Sequence, residues 1–425
     1  MACMHVCPTG AIRVRGRKAR LQHNRCINCG ECVHACPNGA VIPQTSSFND
    51  FSGFKHTIAV PSPVLYAQFG KETSPSSILR ALTKIGFDDA CDVAAESEAV
   101  SIAIQEYLDS VESPRPLISP FCPAVVRLMQ IRYPNLLDHL IPIEAPMSIA
   151  AREAKRKAMQ NLGLRENEVG VIYIAPCPAK MVAVKDPQRK RHAHLNGTIA
   201  IAEIYPSLLR ALQEVQVESE QEQIRGLGLG WPALGGQVAC LKAEDCLAIG
   251  GVADAVRIFE EIENGKLRDI QYVEVHSCPT GCVGGALTVE NAYIARGRVL
   301  QMIHKYGGTP SRDRGTVTEL YRKDFFAFSG KIPPLPFQPL DGEVSRAIQK
   351  LQQKQRLYEH LPKINCGACG APTCSAFAED VVKGEASAED CVFVTLKHFE
   401  KLSAALLDKV RKQSKNICET EMEGV

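Results

Sequence analysis

Apolar positions along the chain alternate between short β-branched runs and longer stretches with helical spacing. The strand-like runs cover residues 56–60, 116–119, 169–175 and 270–275. Helical spacing predicts helices near 77–85, 98–111, 205–215, 253–264, 342–358 and 394–415. Strands that alternate with helices predict an α/β fold in which helices cover the sheets.

The same pattern divides the chain into three parts. A chain of 425 residues suggests two to four domains. We expect a cysteine-rich N-terminal domain at 1–50 and an α/β core at 51–335, whose two lobes cover about 51–165 and 166–335. A proline-rich break near 333–339 precedes a small, mainly helical module at 336–425. The segment 185–236, with a basic run and many glycines, is expected to cover a site between the lobes.

Composition narrows the class of protein. The chain has 49 Lys and Arg against 47 Asp and Glu, a formal net charge of +2, so no overall field favours nucleic acid or an acidic membrane. No apolar run approaches the roughly 18 to 20 residues of a membrane helix, and Met1 to Ala11 lacks the regions of a signal peptide. We therefore expect a cytoplasmic protein without membrane insertion. In a reducing compartment its 18 cysteines indicate metal binding or catalysis rather than disulfides.

The N-terminal cysteines follow the pattern of bacterial ferredoxins. Four of them form C-x2-C-x2-C-x3-C-P, namely Cys26, Cys29, Cys32 and Cys36, and in this pattern the fourth cysteine serves a neighbouring cluster. The ferredoxin pattern has a second run of four cysteines that serves the partner cluster. Of this second run only Cys3 and Cys7 are present, and its first two cysteines would precede Met1. The swapped ligation predicts one complete 4Fe-4S cluster on Cys7, Cys26, Cys29 and Cys32. Cys3 and Cys36 would be half of another, so residues 1–50 are interpreted as an N-terminally truncated, dicluster-type, ferredoxin-like α+β domain rather than a zinc knuckle.

A second set of four cysteines lies near the C-terminus. Cys366, Cys369, Cys374 and Cys391 give the spacing C-x2-C-x4-C-x16-C. Gly367 and Gly370 allow the backbone to pass close to a cluster and direct amides at its sulfurs. The spacing predicts a further 4Fe-4S cluster, with a four-cysteine zinc site as the alternative.

The central cysteines are dispersed over three motifs, each at the end of a predicted strand. The motifs are Ser-Pro-Phe-Cys-Pro around Cys122, Ala-Pro-Cys-Pro-Ala-Lys around Cys177, and Glu-Val-His-Ser-Cys-Pro-Thr-Gly-Cys with Cys278 and Cys282. Loops at the carboxyl ends of strands are where α/β folds place their sites. We therefore expect these four thiolates to converge and to hold one cubane.

At these motifs the chain resembles the large subunit of the iron-only, or [FeFe], hydrogenases, over about residues 55–321. The resemblance implies that the four central cysteines hold the cubane of the H-cluster and that Cys282 also bridges to a di-iron subcluster with carbonyl and cyanide ligands. It further implies that Lys180 contacts one cyanide and that Pro61 and Ser62 contact the other. A lysine beside an anionic ligand is physically reasonable because each offsets the desolvation of the other.

The chain departs from catalytic members of that family at the positions that carry protons. Phe121 stands where those members have a second cysteine, Ala145 where they have a relay serine, and Ala183 where they have a glutamate after the lysine. The predicted helix around 101–104 lacks the usual acids. Phenylalanine cannot carry a proton, and general acid–base catalysis contributes roughly 10²- to 10⁴-fold, so we expect impaired proton delivery.

Two methionines near the di-iron site are replaced by Ala175 and His276. His276 is a candidate proton donor in place of the missing relay, or a hydrogen-bonding group behind the cluster ligands. The pattern resembles the divergent, sensory branch of the family. The expected protein is an iron hydrogenase of low activity that binds or slowly interconverts H2 with protons and electrons and relays electrons through 4Fe-4S clusters.

Two other interpretations stay open. The chain could be a hydrogenase-like electron-transfer or cluster-assembly protein without a di-iron centre, although Lys180 and the Gly284–Gly285 turn argue against this. It could also be the hydrogenase subunit of a larger complex. Expected partners are H2 and protons, an electron-transfer or signalling protein, and hydrogenase maturation proteins.

Four cysteines remain unassigned to clusters. Cys91 is expected in the core, because free cysteine packs as a small hydrophobe. Cys240 and Cys246 flank an exposed turn, with a place near the site as the alternative, and Cys418 lies near the end of the sequence. The basic run Lys185 to His194 is interpreted as a solvated loop, with partner docking as the alternative.

Overall fold

The computed structural model describes residues 1–422 apart from 113, 186–193, 216–223, 329 and 336–338, and in the last helix it describes side chains as far as Lys412. The chain divides into two compact units: residues 27–336 form the larger unit, and residues 1–26 with 337–425 form the smaller one. Most of the predicted basic loop, residues 186–193, lies outside the described residues, as does the side chain of Cys418.

Nine strands are found among the described residues. They are β1 (Ile12–Arg15), β2 (Lys18–Leu21), β3 (His56–Pro61), β4 (Asp89–Ala90), β5 (Leu117–Ile118), β6 (Val169–Ala175), β7 (Gly197–Ala200), β8 (Cys246–Gly250) and β9 (Tyr272–His276).

The helices of the described chain begin with α1 (Ala2–His5), α2 (Glu31–His34), α3 (Pro75–Lys84), α4 (Val93–Ser110), α5 (Pro123–Arg132), α6 (Pro146–Leu162) and α7 (Pro178–Lys185). They continue with α8 (Ile201–Ala211), α9 (Val252–Glu263), α10 (Ala292–Tyr306), α11 (Arg314–Arg322), α12 (Val344–His360), α13 (Cys374–Val382) and α14 (Val392–Met422). No helix within the described residues has the length and apolar content that a membrane span requires.

The larger unit contains two parallel sheets. One has the strand order β4-β3-β6-β7 and the other has the order β5-β9-β8. β3 and β6 pair in register over six residues, from His56 opposite Val169 to Pro61 opposite Ile174. All seven residues of β6 are buried, as expected for a parallel sheet with both faces covered.

The predicted α/β class is confirmed, but the predicted lobes do not correspond to the sheets. Residues 51–165 supply β3 and β4 to the four-stranded sheet and β5 to the other, and residues 166–335 likewise supply strands to both. The lobes were drawn as consecutive halves of the chain. Right-handed crossovers between parallel strands allow the two halves to interleave instead.

Two hydrophobic clusters cover opposite faces of the four-stranded sheet. Ile172 and Ile174 pack with residues of α3 and α8, whereas Val171 and Tyr173 pack with residues of α6. This alternation follows the two-residue period of side chains along a strand. The sheet is therefore a rigid base for the loops that leave its carboxyl edge.

The smaller unit joins the two ends of the chain. The antiparallel hairpin β1-β2 contacts the C-terminal segment, since the amide of Val14 donates to the carbonyl of Gly370 at 2.8 Å. The boundary after Cys26 therefore differs from the predicted one after residue 50. The predicted C-terminal helices are present as α12 and α14, with α13 between them.

Candidate iron-sulfur and redox site

The three central cysteine motifs all lie where parallel strands of the larger unit end. Cys122 precedes α5 four residues after β5, and Cys177 lies between β6 and α7. Cys278 follows β9 by two residues, and Cys282 begins a short 3-10 helix, Cys282–Gly284. The fold thus directs all four thiols to the carboxyl edges of its sheets, where α/β proteins place ligands.

The four central thiols are close enough to influence one another. Ser277 links two of them, because its hydroxyl lies 3.5 Å from Sγ of Cys122 and 3.9 Å from Sγ of Cys278. Burial raises the pKa of Cys278, and the neighbouring thiolates of Cys177, Cys122 and Cys282 raise it further. Burial likewise raises the pKa of Cys177 to about 12. Buried thiolates that repel one another are stabilised by a cationic metal group between them.

Cys282 differs from the other three because it lies beside a lysine. Nζ of Lys180 is 3.8 Å from Sγ of Cys282. Burial alone would raise the pKa of Cys282, but the Lys180 ammonium and the hydrogen bond with His276 outweigh it and lower the pKa to about 6. Burial would lower the pKa of Lys180, yet Cys282, Tyr173 and Cys177 raise it above its usual value. Cys282 and Lys180 therefore form an ion pair in a low-dielectric site.

A buried carboxylate fixes the histidine on the other side of Cys282. Nδ1 of His276 lies 3.7 Å from Sγ of Cys282, and Nε2 lies 2.8 Å from Oε1 of Glu274. The Glu274 carboxylate is fully buried and accepts three backbone N–H groups, from Gly235, Gln237 and Val238, at 2.9–3.0 Å. The imidazole is thus held between a fixed carboxylate and the sulfur.

The side chains of Lys180, His276 and Cys282 face one cavity. The empty volume of this cavity, together with the solvent space at its mouth, is about 510 Å³. Its lining includes Ser62, Phe121, Tyr173, Lys180, Trp231, Gln237, His276 and Cys282. Pro61, the last residue of β3, is buried immediately before Ser62. Trp231 comes from the glycine-rich segment that was expected to cover a site, and it closes part of the cavity wall.

The positions that were expected to lack proton carriers lie around an adjoining cavity. Phe121, Ala145 and Ala183 all line it. The ring of Phe121 packs against Trp231 with centroids 5.1 Å apart. Glu144 also lines this cavity, and its carboxylate is paired with Arg152 at 3.1 Å. The three positions therefore fall in one region next to the Cys282 cavity, and none of their side chains carries a titratable group, although Glu144 lines the same region.

The six N-terminal cysteines are divided between the two units. Cys29, Cys32 and Cys36 belong to the larger unit, and Cys3, Cys7 and Cys26 belong to the smaller one. Within the larger unit, Cys29 and Cys177 both pack against the core cluster that contains Cys122.

The C-terminal cysteines surround a small cavity of the smaller unit. Cys366, Cys369, Cys374 and Cys391 line it together with Leu361 and Phe377. Cys374 and Cys391 are buried, Cys369 is half-buried and Cys366 is exposed. Burial raises the pKa of Cys369, to which the thiolates of Cys391 and Cys366 add. Among the residues that the structure describes, no three His, Cys, Asp or Glu side chains are arranged to hold a single metal ion.

Sequence reasoning missed Glu274 and Gln237, which position His276, and it missed Trp231. Glu274 and His276 are two residues apart in a strand and so share one face, a signal that could have identified Glu274. Gln237 and Trp231 come from a segment distant in the chain and carried no such signal. Cys240 packs against a different core cluster from the central cysteines, and Cys91 packs against the core as expected.

Comparison with known families places three matches along the chain. Residues 55–244 match the family described as iron only hydrogenase large subunit, C-terminal domain. Residues 1–40 match a 4Fe-4S dicluster domain, and residues 361–393 match a putative Fe-S cluster domain. The hydrogenase match contains Cys122 and Cys177, whereas Cys278 and Cys282 lie beyond its end.

Individual relatives agree with these matches. The chain is 22% identical over 284 residues to iron hydrogenase 1 of Clostridium pasteurianum, covering 54% of this chain and 50% of that protein. It is 45% identical over 56 residues to the corrinoid/iron-sulfur protein large subunit of Moorella thermoacetica, or 13% of each chain. The chain therefore spans about half the length of the curated hydrogenase it matches.

Solved structures show the same fold. A structure from work on oxygen inactivation of an [FeFe]-hydrogenase matches with a TM-score of 0.50 at 15% identity, covering 66% of this chain and 95% of that one. A structure that reveals stepwise [FeFe]-hydrogenase H-cluster assembly matches with a TM-score of 0.50 at 16% identity, covering 67% and 93%. The fold and the family matches define a hydrogenase-like iron-sulfur protein. Residues 1–40 are similar to a 4Fe-4S dicluster domain and residues 361–393 to an Fe-S cluster domain, and the α/β unit has the [FeFe]-hydrogenase fold.

Proposed function

We propose that this protein is a cytoplasmic [FeFe]-hydrogenase-type oxidoreductase that binds H2, or interconverts it slowly with protons and electrons. The observation that carries the proposal is the placement of Cys282 between Lys180 and His276, at 3.8 and 3.7 Å, close enough to the other three central thiols for their charges to interact.

The residues present fit the groups that this function needs. Four cysteines at one pocket have the donor chemistry of a 4Fe-4S cubane. The cavity beside Cys282 has a buried cation in its wall, Lys180, and a hydroxyl, Ser62, which suit anionic ligands such as cyanide. When bound, a di-iron subcluster would supply the metal site at which H2 is split or formed.

The side chains around the cavity have separable roles in this proposal. Lys180 offsets negative charge at Cys282 and at the cavity. Ser62 lines the cavity just after Pro61, the last residue of β3, and its amide donates to the carbonyl of Ile174 at 3.2 Å. His276 holds a transferable proton between the Glu274 carboxylate and the sulfur, and so offers a proton donor where Phe121 has none.

Low turnover follows from three apolar side chains in the adjoining cavity, where the Glu144 carboxylate is paired with Arg152. Phe121, Ala145 and Ala183 have no group that can exchange a proton, and a positioned acid or base contributes about 10²- to 10⁴-fold to a rate. A protein that binds H2 but turns it over slowly is suited to sensing. Its redox state would then be passed to an electron-transfer or signalling partner through the N-terminal and C-terminal 4Fe-4S clusters.

The experiment is infrared spectroscopy of the full chain produced together with hydrogenase maturation proteins. Bands from carbonyl and cyanide ligands support the proposal. The Cys282→Ala variant, which lacks the thiol between Lys180 and His276, is the control and should show no such bands. A matured wild-type protein with intact cubanes but without these bands would instead be an electron-transfer or cluster-assembly protein.

Hydrogen turnover then tests the low rate. The matured protein should evolve H2 from a reduced viologen more slowly, by about 10²-fold or more, than a hydrogenase with a complete proton relay. Equal rates would contradict the assignment of an impaired proton path.

A further inference from the structure

The last helix of the smaller unit is packed at its first turn and exposed beyond it. α14 (Val392–Met422) follows Cys391 directly, and Val394 packs against the hydrophobic cluster that contains this cysteine. From Leu396 to Lys412, the last residue whose side chain the structure describes, every residue is exposed. At 1.5 Å of rise per residue, about 25 Å of helix is therefore uncovered by the described part of the chain.

This uncovered stretch is not a polar surface, because large apolar side chains form a stripe along it. Each of them is between 46% and 63% exposed. A continuous exposed apolar patch is uncommon on a soluble protein and marks a surface that another element covers, and an isolated helix of this length is only marginally stable in water. The side chains of the stripe are Val392, Leu396, Phe399, Leu402, Leu406, Leu407 and Val410.

The stripe has the spacing of a coiled coil. Its central positions follow one another at intervals of four, three, four, three and four residues, and they are Val392, Leu396, Phe399, Ser403, Leu406 and Val410. Such intervals are those of the core positions a and d in a heptad repeat. Lys397, Lys401, Asp408, Arg411 and Lys412 fall at the outer positions b, c and f. The helix thus has one mainly apolar seam and a charged opposite face.

The margins of the seam are complementary to a second copy of the same helix. When two copies run parallel and in register, position g of one helix lies beside position e of the other, five residues later in the sequence. Leu402 then packs against Leu407 of the second copy. Glu400, at position e, and Lys409, at position g, each face an uncharged residue. Like charges therefore do not oppose each other in this arrangement.

Ser403 favours the same arrangement, because a polar residue at a single core position sets the register of a coiled coil. In the parallel, in-register pair it meets Ser403 of the second copy. A shift by one heptad would place it against Leu396 or Val410 instead. An antiparallel pair would place it opposite a position d, and the described residues at that position are all apolar.

We propose that α14 forms a parallel, in-register, two-stranded coiled coil with α14 of a second copy of this chain. Cys391 immediately precedes the helix, so the dimer brings the C-terminal cysteine sets of two chains to the same end of the coil. The inference goes beyond the proposed function and depends on neither the di-iron centre nor hydrogen turnover.

The test is the mass in solution of the full chain with its cubanes reconstituted, measured by sedimentation equilibrium over a range of concentrations. The wild type should be a dimer. Leu406→Glu places a charge in the seam and should raise the dissociation constant of the dimer about 100-fold or more, because a buried, unpaired charge is costly. Ala405→Glu adds the same charge at the outer position c, where the residue is exposed, and should leave the dimer unchanged.

Iron content per chain separates loss of the dimer from loss of the fold. Leu406 is 63% exposed in the single chain, so the wild type and both variants should bind the same amount of iron. A wild type that is monomeric at every concentration, or that assembles into trimers or larger species, would overturn the proposal.

Two variants at the margins of the seam test its orientation. Leu402→Glu with Leu407→Lys pairs opposite charges between positions g and e of parallel helices and should retain the dimer. Leu402→Glu with Leu407→Glu places like charges there and should raise the dissociation constant about tenfold above that of the first variant. In an antiparallel coil, g lies beside g and e beside e, so both variants would suffer repulsion. Equal dissociation constants would therefore contradict the parallel pair.

Discussion

Nε2 of His276 lies 2.8 Å from Oε1 of Glu274, and neither side chain is more than 4% exposed. This pair sets the orientation of the imidazole, because the carboxylate is itself fixed by three backbone N–H groups. The opposite ring nitrogen is thereby directed at Cys282. Glu274 is thus a positioning residue, and it acts on the cluster ligand through His276.

The variant Glu274→Gln should destabilise the protein by about 3 kcal/mol, because a buried amide cannot replace the charge-assisted hydrogen bonds of the carboxylate. The measurement is the urea midpoint of the reconstituted protein. Glu263→Gln, at the exposed end of α9, is the matched control and should change stability by less than about 0.5 kcal/mol. Equal effects of the two substitutions would show that the carboxylate does not hold this part of the structure.

Gly30 gives a test of the loop that carries Cys29. Gly30 has a φ of 90°, and a Cβ placed there would lie 2.6 Å from Cβ of Ala286 and 3.2 Å from Cδ of Pro178. Gly30→Ala should therefore displace the loop from the Cys177 motif and lower the melting temperature and the iron content per chain.

Gly39→Ala is the control for that substitution. Gly39 also has a positive φ, 59°, but nothing lies within 4 Å of its added Cβ. Backbone strain costs about 1–2 kcal/mol in both variants, so only the clash differs between them. Equal melting temperatures of the two variants would mean that the contact with Ala286 and Pro178 contributes little to the stability of the fold.

Strands and cysteines were predictable because their signals are local. The run Val169–Ala175 is rich in β-branched residues and carries no charge, and it forms β6 with the predicted bounds. The central motifs, Cys122 and Cys177 among them, follow strands as expected. Spacing alone indicates these features, since a buried strand and a cluster loop each have a short sequence pattern.

Other features depended on long-range packing and were missed. The helix α6 contains many Ala, Lys and Arg residues and has a narrow apolar stripe, so its pattern is weak, although Pro146 at its first position is a start signal. The strand β8 is only half-buried at the edge of its sheet. The interleaving of both halves of the chain in two sheets, and the approach of Trp231 to the site, arise from tertiary contacts that no local pattern encodes.

Lys155 provides a test by pH. It is buried in α6, with Nζ 3.8 Å from Glu166 and 3.4 Å from Asn196. Burial lowers the pKa of Lys155, and the attraction of Glu166 only partly opposes this. Its folded pKa thus lies below the unfolded value of about 10.4, so between the two values the folded state binds fewer protons and stability rises with pH.

The variant Lys155→Met should lose this rise. Comparing urea midpoints at about pH 7 and pH 10, the wild type should gain stability relative to the variant as the pH increases. Lys157→Met, exposed on the same helix, should follow the wild type. A parallel pH dependence of all three proteins would refute the depressed pKa.

Phe121 allows the proposed cause of slow turnover to be tested directly. Its side chain is 8% exposed and lines both the cavity beside Cys282 and the adjoining cavity, so a thiol at this position would face both. In matured protein, Phe121→Cys combined with Ala145→Ser should raise hydrogen evolution from reduced viologen by about 100-fold, the lower end of the range for a positioned proton carrier. The control Phe121→Ala with Ala145→Ser opens similar space next to Trp231 but supplies no thiol, and it should not gain activity. If the cysteine and alanine variants evolve hydrogen at the same rate, proton delivery through this region does not limit turnover, and the slow step lies at the cluster or in electron transfer.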